Sequence, residues 1–283
     1  MSPPVAPNHG DDRTERLRRA PSERDSPRFR LAHPRPGGSC MFSKMDNLPE
    51  SIFANPVWHA LKTRHRHLAV SAGRACRYPA DVAPFAAVAA PSPMALQQLH
   101  TLLSPGESVW LVGESYPHVP ELGFDETLEC LQMVLPDEVT PPAPNLEACA
   151  LQIVPLSSAN AREMVELMTL AFPGFFRIRT PEMGSYYGVR SGISGDGELI
   201  AMGGERLMLD GYAEISGVCT HPAHRGQGMA AGLIGQLVRG HRHQGLSSWL
   251  HVGTANLHAI KLYLRMGFEV VRKVTLLRIT RET

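Results

Sequence analysis

The stretch from Glu214 to Ala230, EISGVCTHPAHRGQGMA, restricts what this chain can fold into more than any other part of it. Tyr212–Thr220 has the composition of a strand. Met229 opens a run to about His243 in which Ile234, Leu237 and Val238 form an apolar stripe at helical spacing. Between strand and helix lie Gly226 and Gly228, which let bare backbone approach a ligand. The helix would aim unpaired N–H groups and the positive end of its dipole at the same turn. That order of elements asks for an anion, a phosphate or a pyrophosphate. The charges around it agree. No Asp or Glu occurs between Glu214 and Glu269, whereas Arg225, Arg239, Arg242, Lys261 and Arg265 all fall there. The local field therefore favours a polyanionic ligand.

Other readings of the turn fit less well. Gly226-Gln227-Gly228-Met229-Ala230-Ala231 satisfies a GxGxxA dinucleotide pattern, but that site needs an acid ~20 residues further on for the ribose, and there is none. The strand is also not the first of a βαβ series. A GxxxxGK[ST] phosphate loop is missing. A glycine-rich helix start with no ligand stays open as the plain structural alternative.

At 283 residues the chain is long enough for about two domains. Residues 1–40 hold seven prolines, eight arginines and five acids with few core-type residues. Such a segment cannot bury enough apolar surface to offset its ordering entropy, so an arm over 1–44 is expected to be disordered. Residues 45–144 read as a small α/β domain. It has helices at Pro56–Lys62 and Met94–Leu103 and strands near Leu68–Ser71, Phe85–Ala89, Ser108–Val112 and Glu129–Leu135. A proline-rich linker, Pro136–Asn145, follows. Residues 145–283 predict strands at Leu151–Pro155, Tyr186–Arg190, Glu198–Gly203, Arg206–Leu209, Tyr212–Thr220, Leu246–Val252 and Phe268–Ile279. Their helices are Ala161–Ala171, the run from Met229, and Leu257–Met266. This is a mixed α/β (α+β) sheet architecture.

Composition excludes several classes. Hydrophobic residues make up 43 %, charged residues 19 %, and the net charge is +1, so no nucleic-acid or membrane partner is implied. No apolar run approaches the ~18 residues of a membrane helix. No apolar stretch follows the basic N-terminal residues, so no secretory signal is expected. Cys40, Cys76, Cys130, Cys149 and Cys219 are scattered and never spaced as CxxC. That argues against disulfides and zinc and for a cytoplasmic protein. His65 and His67 form HxH without an acid or cysteine at ligand spacing, so no metal is expected.

Two motifs carry a family resemblance. Arg225-Gly226-Gln227-Gly228-Met229-Ala230 matches the pyrophosphate motif [QR]xxGx[GA] of the GNAT N-acyltransferases. Asn256 to Phe268 (NLHAIKLYLRMGF) is similar to their second signature, NxxAxxLYxxxGF. The resemblance covers residues 145–283. It implies a GNAT fold there, and the order of elements in 45–144 is compatible with a degenerate GNAT half, as in tandem GNAT proteins. The wording Val218-Cys219-Thr220-His221-Pro222 resembles the C-terminal region of the glycine N-acyltransferases. The resemblance implies acetyl-CoA as cosubstrate, lying between Tyr212–Thr220 and Leu246–Val252. Backbone groups of Val218 and Thr220 would hold the thioester and pantetheine. The N–H groups of Arg225, Gly226, Gln227, Gly228, Met229 and Ala230 would hold the pyrophosphate, and the Asn256 amide the CoA arm. Tyr263 would protonate the departing thiolate.

An alkyl amine with a pKa near ~10.4 is mostly protonated at neutral pH, so a base must take its proton. By strand alternation Glu214 shares a face with Ser216 and Val218; the resemblance, in which a glutamate near this place activates the amine through water, implies it as the base, with Glu205 second, and a carboxylate at a solvated strand end is the structural alternative. Alternation puts Cys219 on the opposite face, as a small core residue. His241 and His243 complement the dipole at a helix end. In similar enzymes the loop after the first helix walls the acceptor site, so the resemblance implies that Phe172, Phe175 and Phe176 offer an apolar wall to the acceptor, a small-molecule or peptide amine. The runner-up to an enzyme is a catalytically silent CoA-binding regulatory module. The acceptor and the oligomeric state are not legible.

Overall fold

The structure is a computed structural model that describes residues 50–113, 115–142, 152–171, 174–192 and 197–283. The expected arm, the end of the proline-rich linker, Phe172 and most of the turn at residues 195–197 lie outside the described residues.

The first elements are α1 (Glu50–Ala54), α2 (Pro56–Lys62), β1 (Val70–Ala72), β2 (Ala75–Arg77), β3 (Ala86–Val88), α3 (Pro93–Thr101), β4 (Ser108–Val112) and β5 (Leu122–Val134). They are followed by β6 (Ile153–Leu156), α4 (Ala161–Ala171), β7 (Tyr186–Arg190), β8 (Leu199–Leu209) and β9 (Tyr212–Thr220). Last come α5 (Met229–His243), β10 (Ser247–Gly253), α6 (Leu257–Arg265) and β11 (Glu269–Arg281). Local chemistry explains the boundaries. Asn55 accepts from the Trp58 N–H and Ser92 from the Ala95 N–H, each just before a proline in the first turn of α2 or α3. Two strand readings change. The expected pair Glu198–Gly203 and Arg206–Leu209 is one strand, β8, whose register with β9 slips between Glu205 and Met208. β5 starts at Leu122, not near Glu129, because its polar first half is held by its long pairing with β11 rather than by its own burial.

Strands β1–β3 form a small sheet. The other eight form one mixed sheet in the order β4-β11-β5-β10-β9-β8-β7-β6. Every pairing in it is antiparallel except β9 with β10. A parallel pair needs a crossover, and α5 supplies it. β5 lies between β10 and β11 and is hydrogen-bonded to both. Residues on the two sides of position 144/145 therefore share a sheet, within a single compact unit from Pro49 to Thr283. Composition could not report this, because the pairing is between segments far apart in the chain.

Two helical layers cover the sheet. On one face Ile234, Leu237 and Val238 of α5 and Ile260 and Tyr263 of α6 pack on Ile215, Leu250 and Val252. On the other, Met164, Leu167 and Met168 of α4 pack on Tyr186, Met202 and Cys219. Phe53 meets Trp249 edge-on at 5.1 Å.

Candidate active site

Among the described residues β9 and β10 pair at three positions only: Tyr212 with Ser247, Ala213 with Ser248, and Glu214 with Trp249. Beyond that the strands part, although β9 runs on to Thr220 and β10 to Gly253. A bulge sits in β9 just past this point. Ser216 pairs with Gly204 and Cys219 with Met202, so Gly217 and Val218 together oppose Gly203. Gly217 takes φ 63°, a conformation that suits glycine. A Cβ there would lie 3.5–3.8 Å from Tyr186, Met168 and Phe176.

The bulge overturns one expectation. Simple alternation put Glu214 and Val218 on one face. Instead Val218 joins the cluster under α5, and Glu214 points to the opposite side of the sheet. Cys219 does lie in the core under α4, where burial pushes its thiol up to about 12.

Glu214 is fully buried, not at a solvated strand end. Arg206 grips it through Nε (3.0 Å to Oε2) and Nη2 (2.6 Å to Oε1). The Leu207 N–H donates to Oε2 at 3.2 Å, and His251 Nδ1 lies 2.8 Å from Oε1. The guanidinium stands 4.9 Å over the Phe85 ring. Burial alone would raise the pKa of Glu214. The charge of Arg206 and the His251 bond outweigh it and hold the carboxyl at about 2. Because that lies below the unfolded value, the carboxylate stabilises the fold above about pH 4.5, and the contribution fades as the pH falls to about 2. Melting temperatures of the wild type and Glu214→Gln should differ by a constant gap at neutral pH. The gap should narrow below about 4.5. One that stays constant down to pH 2 would contradict the depressed pKa.

The second carboxylate considered, Glu205, faces α5. Its Oε2 accepts from the Ser185 N–H at 2.8 Å and its Oε1 lies 3.1 Å from His241 Nε2. Burial works to raise its pKa, and the interactions with His241 and Ser185 together outweigh it and hold the carboxyl below its usual value. His241, expected to serve the helix dipole, is instead fully buried, with Nδ1 2.8 Å from Ser248 Oγ. A histidine at a helix end can face inward as readily as out, and here the carboxylate of Glu205 draws it in.

The turn ahead of α5 has the expected form. Gly226 and Gly228 take φ 83° and 78°, and among the described residues nothing beyond its chain neighbours lies within 4 Å of a Cβ placed on Gly226. Gln227 is exposed, and Met229 is buried against Leu233 and Ile200, which roots the helix start in the core. The first N–H groups of a helix have no intrahelical partner. Ala230 lies among them, in the first turn of α5. The Arg225 guanidinium donates to the Ala171 carbonyl at 3.3 Å and ties the turn to α4. Thr220 stays paired with Ala201. Asn256 caps α6, its Oδ1 accepting from the Ala259 N–H at 3.1 Å. Tyr263 faces the sheet beside Phe268, ring centroids 5.8 Å apart, and burial pushes its hydroxyl up to about 12.

Of the loop aromatics, Phe176 meets Tyr186 near the bulge, whereas Phe175 turns away to Phe85 and Trp110. Sequence reasoning missed Arg206, His251 and Gln132. The available signal was an ionisable or amide side chain inside an otherwise apolar strand. Among the described residues no group of three His, Cys, Asp or Glu is placed to hold a metal ion, and no helix is long and apolar enough to cross a membrane.

Comparison with known proteins places this arrangement. A profile of the Acetyltransferase (GNAT) family matches residues 157–268. A GNAT-family protein of Novosphingobium aromaticivorans DSM 12444, known from a crystal structure, is 33 % identical, with 82 % of this chain and 99 % of that one covered and a TM-score of 0.71. The chain belongs to the GNAT family of acetyltransferases. A GCN5-related N-acetyltransferase from Kribbella flavida (19 % identity, 80 % and 96 % covered, TM-score 0.53) shares the fold. So does a GCN5-related N-acetyltransferase-like protein from Streptococcus suis 89/1591 (12 %, 84 % and 95 %, TM-score 0.50). No curated protein matches the chain.

Proposed function

We propose that the protein transfers an acetyl group from acetyl-CoA to an apolar amine by direct attack in a ternary complex. The observation that carries this reading is the parting of β9 and β10 beyond Glu214 and Trp249, directly ahead of the glycine turn. An extended arm bearing amides fits a gap between strands that have stopped pairing, since both edges keep backbone donors and acceptors. The open cradle at Gly226 and the start of α5 suit a pyrophosphate at the end of that arm. In this reading Val218 and Thr220 meet the arm through backbone groups. The N–H groups of residues 225–230 take the pyrophosphate, and Asn256 donates to the arm.

The acceptor side is the face toward α4. Met168, Phe176 and Tyr186 surround Gly217 there, and the charges of Arg206 and Glu214 cancel each other. Such a wall suits an amine on an apolar body better than a free amino acid. The amine nitrogen attacks the thioester carbonyl, a C–N bond forms, and the C–S bond breaks. Tyr263 donates a hydrogen bond to the departing sulfur. Glu214 acts through its network and not as the base itself. A carboxylate held at about 2, with both oxygens engaged, takes a proton too weakly to strip an ammonium. Water carries that proton away. The buried free thiols of Cys76, Cys130 and Cys219 suit a reducing cytoplasm.

The test is a thermal-shift titration with acetyl-CoA followed by turnover on a panel of amines. Stabilisation, with arylalkyl amines turning over faster than amino acids, is the expected result. Stabilisation with no turnover on any amine would indicate a silent CoA-binding module. No stabilisation would overturn the reading.

A further inference from the structure

The network around Glu214 extends beyond the parting strands. Gln132, on β5, is 1 % exposed. Its Nε2 donates to the Phe53 carbonyl at 2.9 Å and lies 3.0 Å from His251 Nε2. Its Oε1 is buried with no hydrogen-bond partner among the described residues. This arrangement fixes the proton of His251 by elimination. The Phe53 carbonyl accepts only, so it requires the nitrogen end of the Gln132 amide to face it. That same nitrogen then meets His251, so His251 Nε2 must accept. The ring hydrogen is left on Nδ1, where Glu214 Oε1 receives it at 2.8 Å.

We propose that His251 is a positioning residue, held by Gln132 and Glu214 as the neutral Nδ1–H form, whose bond to Glu214 sets the width of the gap between β9 and β10. The placement supports this. Trp249 and Glu214 are the last paired residues of the two strands, and His251 follows on the same face of β10. Its bond to Glu214 is thus a side-chain tie across the strands at the apex of the gap. The Trp249 ring, 4.9 Å away, backs the imidazole. Nε2 faces β5 and not the gap, so the ring has no direct route to an acceptor nitrogen and is not itself the base. The groups around it are Glu214 on β9, Arg206 on β8 behind that carboxylate, and the amide of Gln132 on β5. A second proton on the ring would face the Gln132 N–H and force that amide to turn, breaking its bond to Phe53. The catalytic part of this inference rests on the acyl-transfer reading; the ring assignment does not.

The experiment uses the full chain, labelled with nitrogen-15. Long-range proton–nitrogen correlation spectra identify the ring form of each histidine, and His251→Asn assigns the His251 signals by their loss. The Nδ1–H form at neutral pH is expected. The Nε2–H form, or an average of the two, would overturn the proposal. In turnover assays His251→Phe should lose kcat by roughly 10²-fold, the scale of a misplaced reacting group. His251→Asn, whose amide can still donate to Glu214, should recover most of it. If His251→Phe does not fold, Gln132→Leu keeps the ring and removes its fixed donor. The Glu214 carboxylate, an acceptor only, still demands the Nδ1–H form, but the ring loses its anchor on β5 and kcat should fall. Wild-type kcat in His251→Phe, or an unchanged kcat in Gln132→Leu, would refute the positioning role. Failure of acetyl-CoA to stabilise the wild type would instead refute the acyl-transfer reading, leaving the ring assignment to the spectra.

Discussion

A Tyr263→Phe protein is expected to bind acetyl-CoA as the wild type does and to lose about 10² to 10³ in kcat. The ring packs against Phe268 inside the α5–α6 cluster, and phenylalanine preserves that packing. Only the hydroxyl is removed. With its pKa pushed up to about 12, that hydroxyl keeps its proton at every working pH. A thiol near ~8.5 is the stronger acid, so Tyr263 does not hand its proton over fully. In the proposed reaction it would donate a hydrogen bond that strengthens as charge grows on the sulfur, and the loss of one such donor costs roughly the factor given. Because the interaction matures only in the transition state, the Kd for acetyl-CoA should hold steady while kcat falls. Equilibrium binding and pre-steady-state turnover measure the two separately. A variant with wild-type kcat across the pH range would take the hydroxyl out of the mechanism.

Gly228→Glu should abolish stabilisation by acetyl-CoA. In the wild type, ligand at 100 times its Kd should add about 2.7 kcal/mol to the stability of the fold. Gly228 is the residue before Met229, the first of α5, and takes φ 78° and ψ 0°. Any residue with a Cβ is strained in that region, at a cost of roughly 1 kcal/mol. A glutamate adds a negative charge where a pyrophosphate would have to settle. Gly228→Ala separates the two effects, since it carries the strain without the charge. Thermal shifts with and without acetyl-CoA should show a small loss of intrinsic stability in both variants and a lost ligand response in Gly228→Glu. If Gly228→Glu responds like the wild type, the phosphate turn has been misplaced.

The parts of the fold that could be read from the sequence are those with a local cause. The run from Tyr212 to His243 shows its strand, turn and helix because alternation, two glycines and an apolar stripe each act over a few residues. What stayed hidden depends on partners distant in the chain. The polar first half of β5 looks like loop until β11 is placed beside it. Glu214 looks like a reactive carboxylate until Arg206, from the neighbouring strand, occupies both its oxygens. The bulge at Gly217 is a third kind of case. Its glycine is visible, but nothing in the local pattern says that the strand changes phase there, so the face assigned to Glu214 was reversed relative to Val218.

The place of β5 between β10 and β11 has a consequence for how the protein is made. The strand is finished early in synthesis, yet both of its hydrogen-bonding neighbours lie in the last part of the chain. Until they emerge, β5 presents two bare edges, each a template for wrong pairing. The sheet closes only when β11, ending at Arg281, is free to insert. Such long-range closure is slow, and it leaves the nascent chain dependent on protection that the finished fold no longer needs. The gap between β9 and β10, whose far strand is buttressed by β5, accordingly takes shape only after β10 and β11 have found that strand.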